Sequence, residues 1–480
     1  MKKLLVLIFC LIITGLWGQI DRNIIGYYTS WSIYGRDYHV PDIPADKITH
    51  INYAFANINS NSLQIMLGDA YADIDRFYPG DSWEPGSLRG SFHQLQILKE
   101  NHPELKTLIS VGGWTWSTCF SLVAATEQSR QDFAASCVAF IEEYGFDGVD
   151  IDWEYPVSGG LPGNYYSPDD PENFVFLLAE LRQQLDAAGD YLLTAAVPAG
   201  PEKIANHDLP GMEPYLDYFN IMAYDFHGPW SGEGDAVTGH LAALYPQTDD
   251  PLPEPYNTSY NGSAAVAAYL TAGIASAKIN LGIPFYGRGF GGVTINNNGL
   301  YQDWINCPWI GTWENGCFDY TDLRYNYIDL NGYDSFWDEE GLVPWIFNPE
   351  QQIMITFDDT LSVSHKTEYV NQEELGGVMF WEFSGDRDEE LIDEIYRAFS
   401  GSETFYGDID ENSIVEAFDA SLLLQYYVGL EPLPELDPRP WEEERLQRAD
   451  VDGDGQLSAF DAALILRFSV GMILQFPVEE

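Results

Sequence analysis

The chain has 480 residues, room for one large domain and a smaller companion, and it carries 75 acidic against 22 basic residues for a formal net charge of −53. This balance argues against nucleic acid and anionic membranes as partners, because both need basic patches. It suits a neutral or partly cationic polysaccharide, calcium loading or a saline habitat, and selects none of them.

Lys2 and Lys3 precede an apolar run from Leu4 to Ile13 and small residues at Gly15 and Gly18. That is the pattern of a secretory signal peptide over residues 1–18, so a secreted, extracellular protein is expected. The run falls short of the ~20 residues that span a bilayer, and no later segment is long and apolar enough, so no membrane span is expected. Export permits disulfides. Of Cys119, Cys137, Cys307 and Cys317, the preferred pair is Cys307 with Cys317, which lie in one insertion.

Alternating strand and helix signals fill the next part of the chain. Strands are predicted at 24–28, 51–57, 107–111, 148–154, 192–197, 218–224, 279–284 and 377–381. Helices are predicted at 91–101, 128–144, 171–187, 263–272 and 362–373, with a closing one near 389–399. Such alternation points to a parallel sheet. In the fourth strand the side-chain alternation puts Asp150, Asp152 and Glu154 on one face and Val149, Ile151 and Trp153 on the other. Like charges so close raise one another's pKa, and burying them costs stability, so the row signals chemistry rather than packing. After the seventh strand, 291–349 is rich in Gly and aromatic residues, including Tyr301, Trp304, Trp309, Trp313, Tyr320, Tyr325 and Trp337. It reads as a small α+β insertion in which most rings are core.

Beyond Phe399 the pattern changes. Ala417-Phe418-Asp419-Ala420 recurs as Ala459-Phe460-Asp461-Ala462, an internal repeat at a spacing of 42 residues. Each copy follows an oxygen-rich loop and precedes an apolar helix, at 422–428 and 464–470. The second loop places Asp450, Asp452, Asp454, Gly455, Gln456 and Asp461 at positions 1, 3, 5, 6, 7 and 12 of an EF-hand-type calcium loop. The first offers Asp408, Asp410, Asn412, Ile414 and Asp419, but Ser413 replaces the turn glycine. Two Ca2+ sites are expected, the first weaker.

Asp147-Gly148, Asp150, Asp152, Trp153 and Glu154 form the pattern D-G-x-D-x-D-W-E, which resembles the signature of the family 18 glycoside hydrolases, the chitinases and their relatives. Other segments agree in order: Gly26-Tyr27-Tyr28 with Trp31, Ser110 to Trp114, Met222-Ala223-Tyr224-Asp225, Pro284 to Arg288, and Gly376 to Trp381. The resemblance implies an α/β fold, a (β/α)8 TIM barrel, with its chemistry at the C-terminal strand ends. It implies that Glu154 protonates the glycosidic oxygen, Asp152 orients the substrate's acetamido group, Asp150 shares a proton with Asp152, and Tyr224 donates to the acetamido oxygen. Asp225 would bind beside it and Trp381 would floor the subsite. Met222, Tyr27, Phe55, Trp114, Tyr286 and Arg288 are further candidates for lining the site.

The C-terminal repeat, lacking a clear incoming helix, is more similar to a dockerin than to an EF-hand sensor. That implies a cohesin-bearing scaffold protein as partner, read by helix positions around Ala417, Phe418, Ala459 and Phe460, and association with a cell surface or multienzyme complex. The expected organisation is a signal peptide at 1–18, a catalytic barrel at 19–400 and a dockerin-like module at 403–480. The expected substrate is chitin or chitooligosaccharides. Two other readings stay open: an endo-β-N-acetylglucosaminidase acting on glycoproteins or peptidoglycan, and a non-catalytic chitin lectin, which the presence of Glu154 disfavours.

Overall fold

The computed structural model describes residues 20–230, 232–400 and, within 406–479, all but 411–414, 431–438, 440, 442, 454, 470–472 and 474–475. The expected signal peptide and the loop residues Asn412, Ser413, Ile414 and Asp454 lie outside them. Two units are distinguished, one spanning Arg22–Ala398 and the other taking in the chain from Phe399 onward.

In the first unit eight parallel strands close into a barrel: β1 (Asn23–Thr29), β2 (His50–Ile58), β4 (Lys106–Gly112), β5 (Gly148–Asp152), β6 (Leu192–Pro198), β7 (Tyr218–Met222), β8 (Ile279–Pro284) and β14 (Gly377–Trp381). The pairing of β1 with both β14 and β2 completes the ring. A two-residue strand, β3 (Ile65–Met66), adds antiparallel to β2. Near-continuous burial along these strands, such as the five buried residues of β5, follows from being covered on both faces. The fold is a (β/α)8 barrel, as the sequence resemblance implied.

Residues from the outer face of β5 explain how the acid row is tolerated. Val149 and Ile151 are fully buried, each contributing about 1.5–3 kcal/mol. Trp153 stacks on Phe120 at 5.5 Å and meets Phe174 edge-on at 5.1 Å, in the helical layer. Asp147 anchors the strand's start by accepting from Thr107 N at 2.7 Å and pairing with Lys99 at 2.6 Å.

Between β8 and β14 lies a five-stranded antiparallel sheet of β9 (Tyr286–Gly291), β10 (Cys317–Asp319), β11 (Asp334–Asp338), β12 (Val343–Asn348) and β13 (Ile353–Thr356). It begins at Tyr286 rather than 291 and ends at Thr356 rather than 349, so it takes in more chain than the sequence suggested. Phe290, Trp345, Phe347 and Met354 form its own core. All four described cysteines are free, which corrects the expected Cys307–Cys317 disulfide: the Cys307 thiol donates instead to the Asn315 carbonyl at 3.3 Å.

The second unit is built on two helices, Ala417–Tyr427 and Ala459–Ser469. Ala420, Leu422 and Leu423 of the first and Ala462, Leu464 and Ile465 of the second are buried at matching repeat positions, with Trp441 and Phe476 beside them. A short helix at Glu443–Ala449 leads into the second oxygen-rich loop, an incoming helix that the sequence pattern had not disclosed. Among the described residues no helix is long and apolar enough to cross a membrane.

Candidate active site

The register of the barrel brings the polar residues together. Ser110 of β4, Asp150 of β5 and Thr194 of β6 are direct cross-strand neighbours, so one interior layer is polar where aliphatic residues are usual. Asp150 is fully buried and accepts four hydrogen bonds: from Thr194 Oγ1 at 2.6 Å and Asn220 Nδ2 at 3.4 Å on Oδ1, and from Ser110 Oγ at 2.7 Å and Tyr27 OH at 2.8 Å on Oδ2. Two donors thus reach each of its carboxylate oxygens. Burial raises the Asp150 pKa, and the hydrogen bonds, that of Thr194 first, hold the rise back.

Asp152, two residues on, is 4 % exposed, and its Oδ1 is buried with no hydrogen-bond partner among the described residues. Burial first, then the charges of Glu154 and Asp150, push its pKa well above the carboxylate range. Glu154 lies just past the end of β5. Its backbone N–H donates to Ser117 Oγ at 2.8 Å and its carbonyl accepts from Asn164 Nδ2 at 3.2 Å. The Asp152 carbonyl accepts from Gly113 N at 2.8 Å; a Cβ on Gly112, whose φ is +110°, would stand 2.2 Å from that oxygen. Only glycine allows so close an approach. The Glu154 pKa is pushed up to about 7. Burial is the main cause, the Tyr155 hydroxyl and Lys203 oppose it, and Asp225 adds to it.

Tyr224 follows β7. Burial and the nearby Asp152 keep its hydroxyl protonated, and it donates to Met379 Sδ at 3.7 Å. Asp225, at φ +56°, accepts from Tyr286 OH at 2.9 Å and from Arg288 Nε at 3.2 Å. Trp381 ends β14 and stacks on Phe55 at 5.6 Å, with Tyr27 at 5.5 Å and Trp31 at 6.3 Å. Next to it, Glu382 and the insertion's Asp319 share Arg36, each at 3.3 Å, and Asp319 also accepts from Trp313 Nε1 at 2.7 Å.

Most predicted site residues therefore converge. Asp150, Asp152 and Trp381 stand in the C-terminal halves of β5 and β14 and Glu154, Tyr224 and Asp225 just past the ends of β5 and β7, and Met222, Phe55 and Tyr27 pack in one apolar cluster with Trp381. The other lining candidates differ in their surroundings. The Tyr27 hydroxyl donates to Asp150 while its ring meets that of Trp381 at 5.5 Å. Tyr286 and Arg288 hold Asp225. Trp114 stands 45 % exposed, outside the cluster that takes in Trp116. Residues that the sequence reading missed are Thr194, Asn220, Ser117, Asn164 and Lys203. The first two left a signal, a lone polar residue in an apolar strand; the others lie beyond the strand ends, Lys203 in the short helix Pro201–Ile204, and left none.

Residues 23–386 match the model of the glycosyl hydrolases family 18. The chain belongs to that family. Relatives include chitinase A1 of Niallia circulans, 43 % identical over 404 residues that cover 77 % of this chain and 57 % of the relative, and chitinase 1 of Aphanocladium album, 37 % identical with 75 % and 81 % covered. The chain thus spans little more than half the length of the first. Among solved structures, a chitinase from Bacillus thuringiensis superimposes with a TM-score of 0.75 at 37 % identity, covering 80 % of this chain and 70 % of that one.

Beyond the family 18 region, residues 406–468 match the dockerin type I domain. Its loops gather Asp408, Asp410 and Asp419 in one group and Asp450, Asp452 and Asp461 in the other, each with carboxylate oxygens within 4.8 Å of one another. Gly455, at φ +80°, donates its N–H to Asp450 Oδ2 at 2.8 Å, the tight turn that a calcium loop needs. Asp419 Oδ1 and Asp461 Oδ1 also accept from backbone N–H groups of their own loops. Clustered hard oxygen donors of this kind fit calcium.

Proposed function

We propose that this chain is an exported chitinase that cleaves β-1,4-linked N-acetylglucosamine with retention, using the substrate's own acetamido oxygen as nucleophile, and that its dockerin domain carries it to a cohesin-bearing scaffold. The observation that carries the reading is the buried, unpartnered Oδ1 of Asp152. A site that leaves such an atom unpaired is suited to an N–H brought by the ligand.

On this reading Asp152 accepts the acetamido N–H and turns the carbonyl oxygen towards the anomeric carbon, while the protonated Tyr224 hydroxyl donates to that oxygen. Glu154, held protonated by burial, gives its proton to the glycosidic oxygen as the C–O bond breaks and the acetamido oxygen bonds to the anomeric carbon. The resulting oxazolinium is stabilised by Asp152, whose proton equilibrium is biased by the hydrogen-bonded Asp150. Water then attacks the anomeric carbon, the bond from that carbon to the acetamido oxygen breaks, and Glu154 takes the water's proton. A nucleophile already attached to the substrate removes about 7–11 kcal/mol of entropic barrier when well oriented, which is why no second carboxylate need form a bond. Trp381, backed by Phe55, offers a sugar's apolar face a flat floor.

In the dockerin domain Asp408, Asp410, Asn412, Ile414 and Asp419 would hold one Ca2+ and Asp450, Asp452, Asp454, Gln456 and Asp461 the other. Bound calcium neutralises the acid clusters and adds its binding energy to folding. Ala417, Phe418, Ala459 and Phe460 are exposed at the two helix starts, a surface that fits a cohesin.

The test is product analysis on a chitin hexamer with anomer detection. The expected result is cleavage to shorter oligomers whose first-formed reducing ends are β. An inverted product refutes substrate assistance. An intact hexamer alongside cleaved N-glycan or peptidoglycan points to the endo-β-N-acetylglucosaminidase instead.

A further inference from the structure

Lys203 follows β6, in the short helix Pro201–Ile204 on the face of the barrel where the site lies. Its side chain runs under the loop after Glu154, where a Cβ on Gly159 would touch Lys203 Cε at 3.5 Å. The ammonium rests 4.2 Å from the centroid of the Tyr155 ring, and among the described residues no acid lies within ion-pair distance of it. Glu202, the adjacent acid, is engaged by the Tyr260 hydroxyl. A partly buried cation whose close partner is an aromatic face keeps its charge available to groups further off. Those groups are Glu154, Asp225, Glu202 and Asp235, in that order of effect, and their attraction opposes the fall that burial imposes on the Lys203 pKa.

We propose that Lys203 is a positioning residue of the site: its ammonium, seated on Tyr155, is the counter-charge that receives the carboxylate Glu154 becomes once its proton has passed to the leaving oxygen. This rests on the assignment of Glu154 as the acid. The step is balanced within that reaction. The proton leaves Glu154 with the departing sugar alcohol, the acetamido oxygen bonds to the anomeric carbon, and Glu154 carries the negative charge until water returns a proton to it. Asp152, Asp225 and the Tyr155 and Tyr224 hydroxyls also face Glu154. The two acids repel its carboxylate and the tyrosine hydroxyls are neutral, so among the charged groups acting on Glu154 in the described residues Lys203 is the one cation.

The experiment compares Lys203→Met and Lys203→Arg with the parent enzyme on a soluble chitooligosaccharide across pH, with melting temperatures alongside. Without the cation the carboxylate is less favoured, so the alkaline limb of kcat/KM in Lys203→Met should move upward by about one pH unit. Lys203→Arg, which keeps the charge, should restore the parent profile. A limb that stays in place in Lys203→Met, or activity scaled down equally at every pH, overturns the proposal, and so does a Lys203→Arg profile that follows the Met variant. The failure of the underlying reading is distinct: Glu154→Gln would then remain active whatever Lys203 does.

Discussion

In the proposed mechanism Glu154 has to be protonated to act and ionised to be regenerated, and a pKa pushed up to about 7 keeps both forms accessible near neutrality. Two consequences follow at the scale of this one residue. The rate constant kcat/KM should fall as pH rises through about 7, because the fraction of acid falls. Stability should fall over the interval below it, from ~4.3 up to about 7. A carboxyl whose folded pKa is raised from ~4.3 favours the native state fully at low pH and loses that contribution as pH climbs towards the raised value. Glu154→Gln should therefore lose at least ~10²-fold in kcat while still binding chitooligosaccharide. Its melting temperature should also decline less than the parent's between about pH 5 and pH 8. Calorimetry at several pH values reads the second effect, and an equal decline would refute burial as the source of the shift. The acid row was legible because strand alternation is a strict period of two. What was not legible is which force raises Glu154, since burial depends on the loop from Tyr155 onward, where no periodicity operates.

At the scale of the element, β4, β5 and β6 act as one unit through their register. Ser110, Asp150 and Thr194 meet because their strands align them, and Thr194 supplies the shortest hydrogen bond, 2.6 Å, to a carboxylate with no access to water. Thr194→Val keeps the shape and removes the donor. We expect a loss of about 1.5–3 kcal/mol in stability together with a lower kcat, measured by denaturant titration and steady-state kinetics. An unchanged midpoint would mean that Asp150 is held by its other three donors alone. The eight barrel strands could be read from their Val- and Ile-rich runs, but β9 could not. Its sequence, Tyr286-Gly-Arg-Gly-Phe-Gly291, has three glycines and so weak strand propensity, which is why the insertion was expected to start five residues late. The helix Glu443–Ala449 was hidden for a similar reason: Leu446 is its one large apolar residue, too few to mark a stripe.

For the whole molecule, the two units are stabilised by different means. The barrel has a large aliphatic and aromatic core, whereas the core of the second unit is a handful of side chains drawn from two helices and their flanks. So small a core contributes only a few kcal/mol. The acid groups Asp408, Asp410 and Asp419 and Asp450, Asp452 and Asp461 work against it, since carboxylate oxygens within 4.8 Å repel one another. The net charge of −53 on the chain adds to that repulsion. A divalent cation reverses its sign, and at one hundred times its dissociation constant each bound ion adds about 2.7 kcal/mol. Calorimetry of the full chain should therefore show two transitions in calcium. A chelator should move the dockerin transition down by many degrees and leave that of the barrel, and hydrolysis of soluble chitooligosaccharides, where they were. If the chelator shifted neither transition, the acid groups would be ordinary solvated surface. If it shifted the barrel instead, calcium would belong to a different part of the chain.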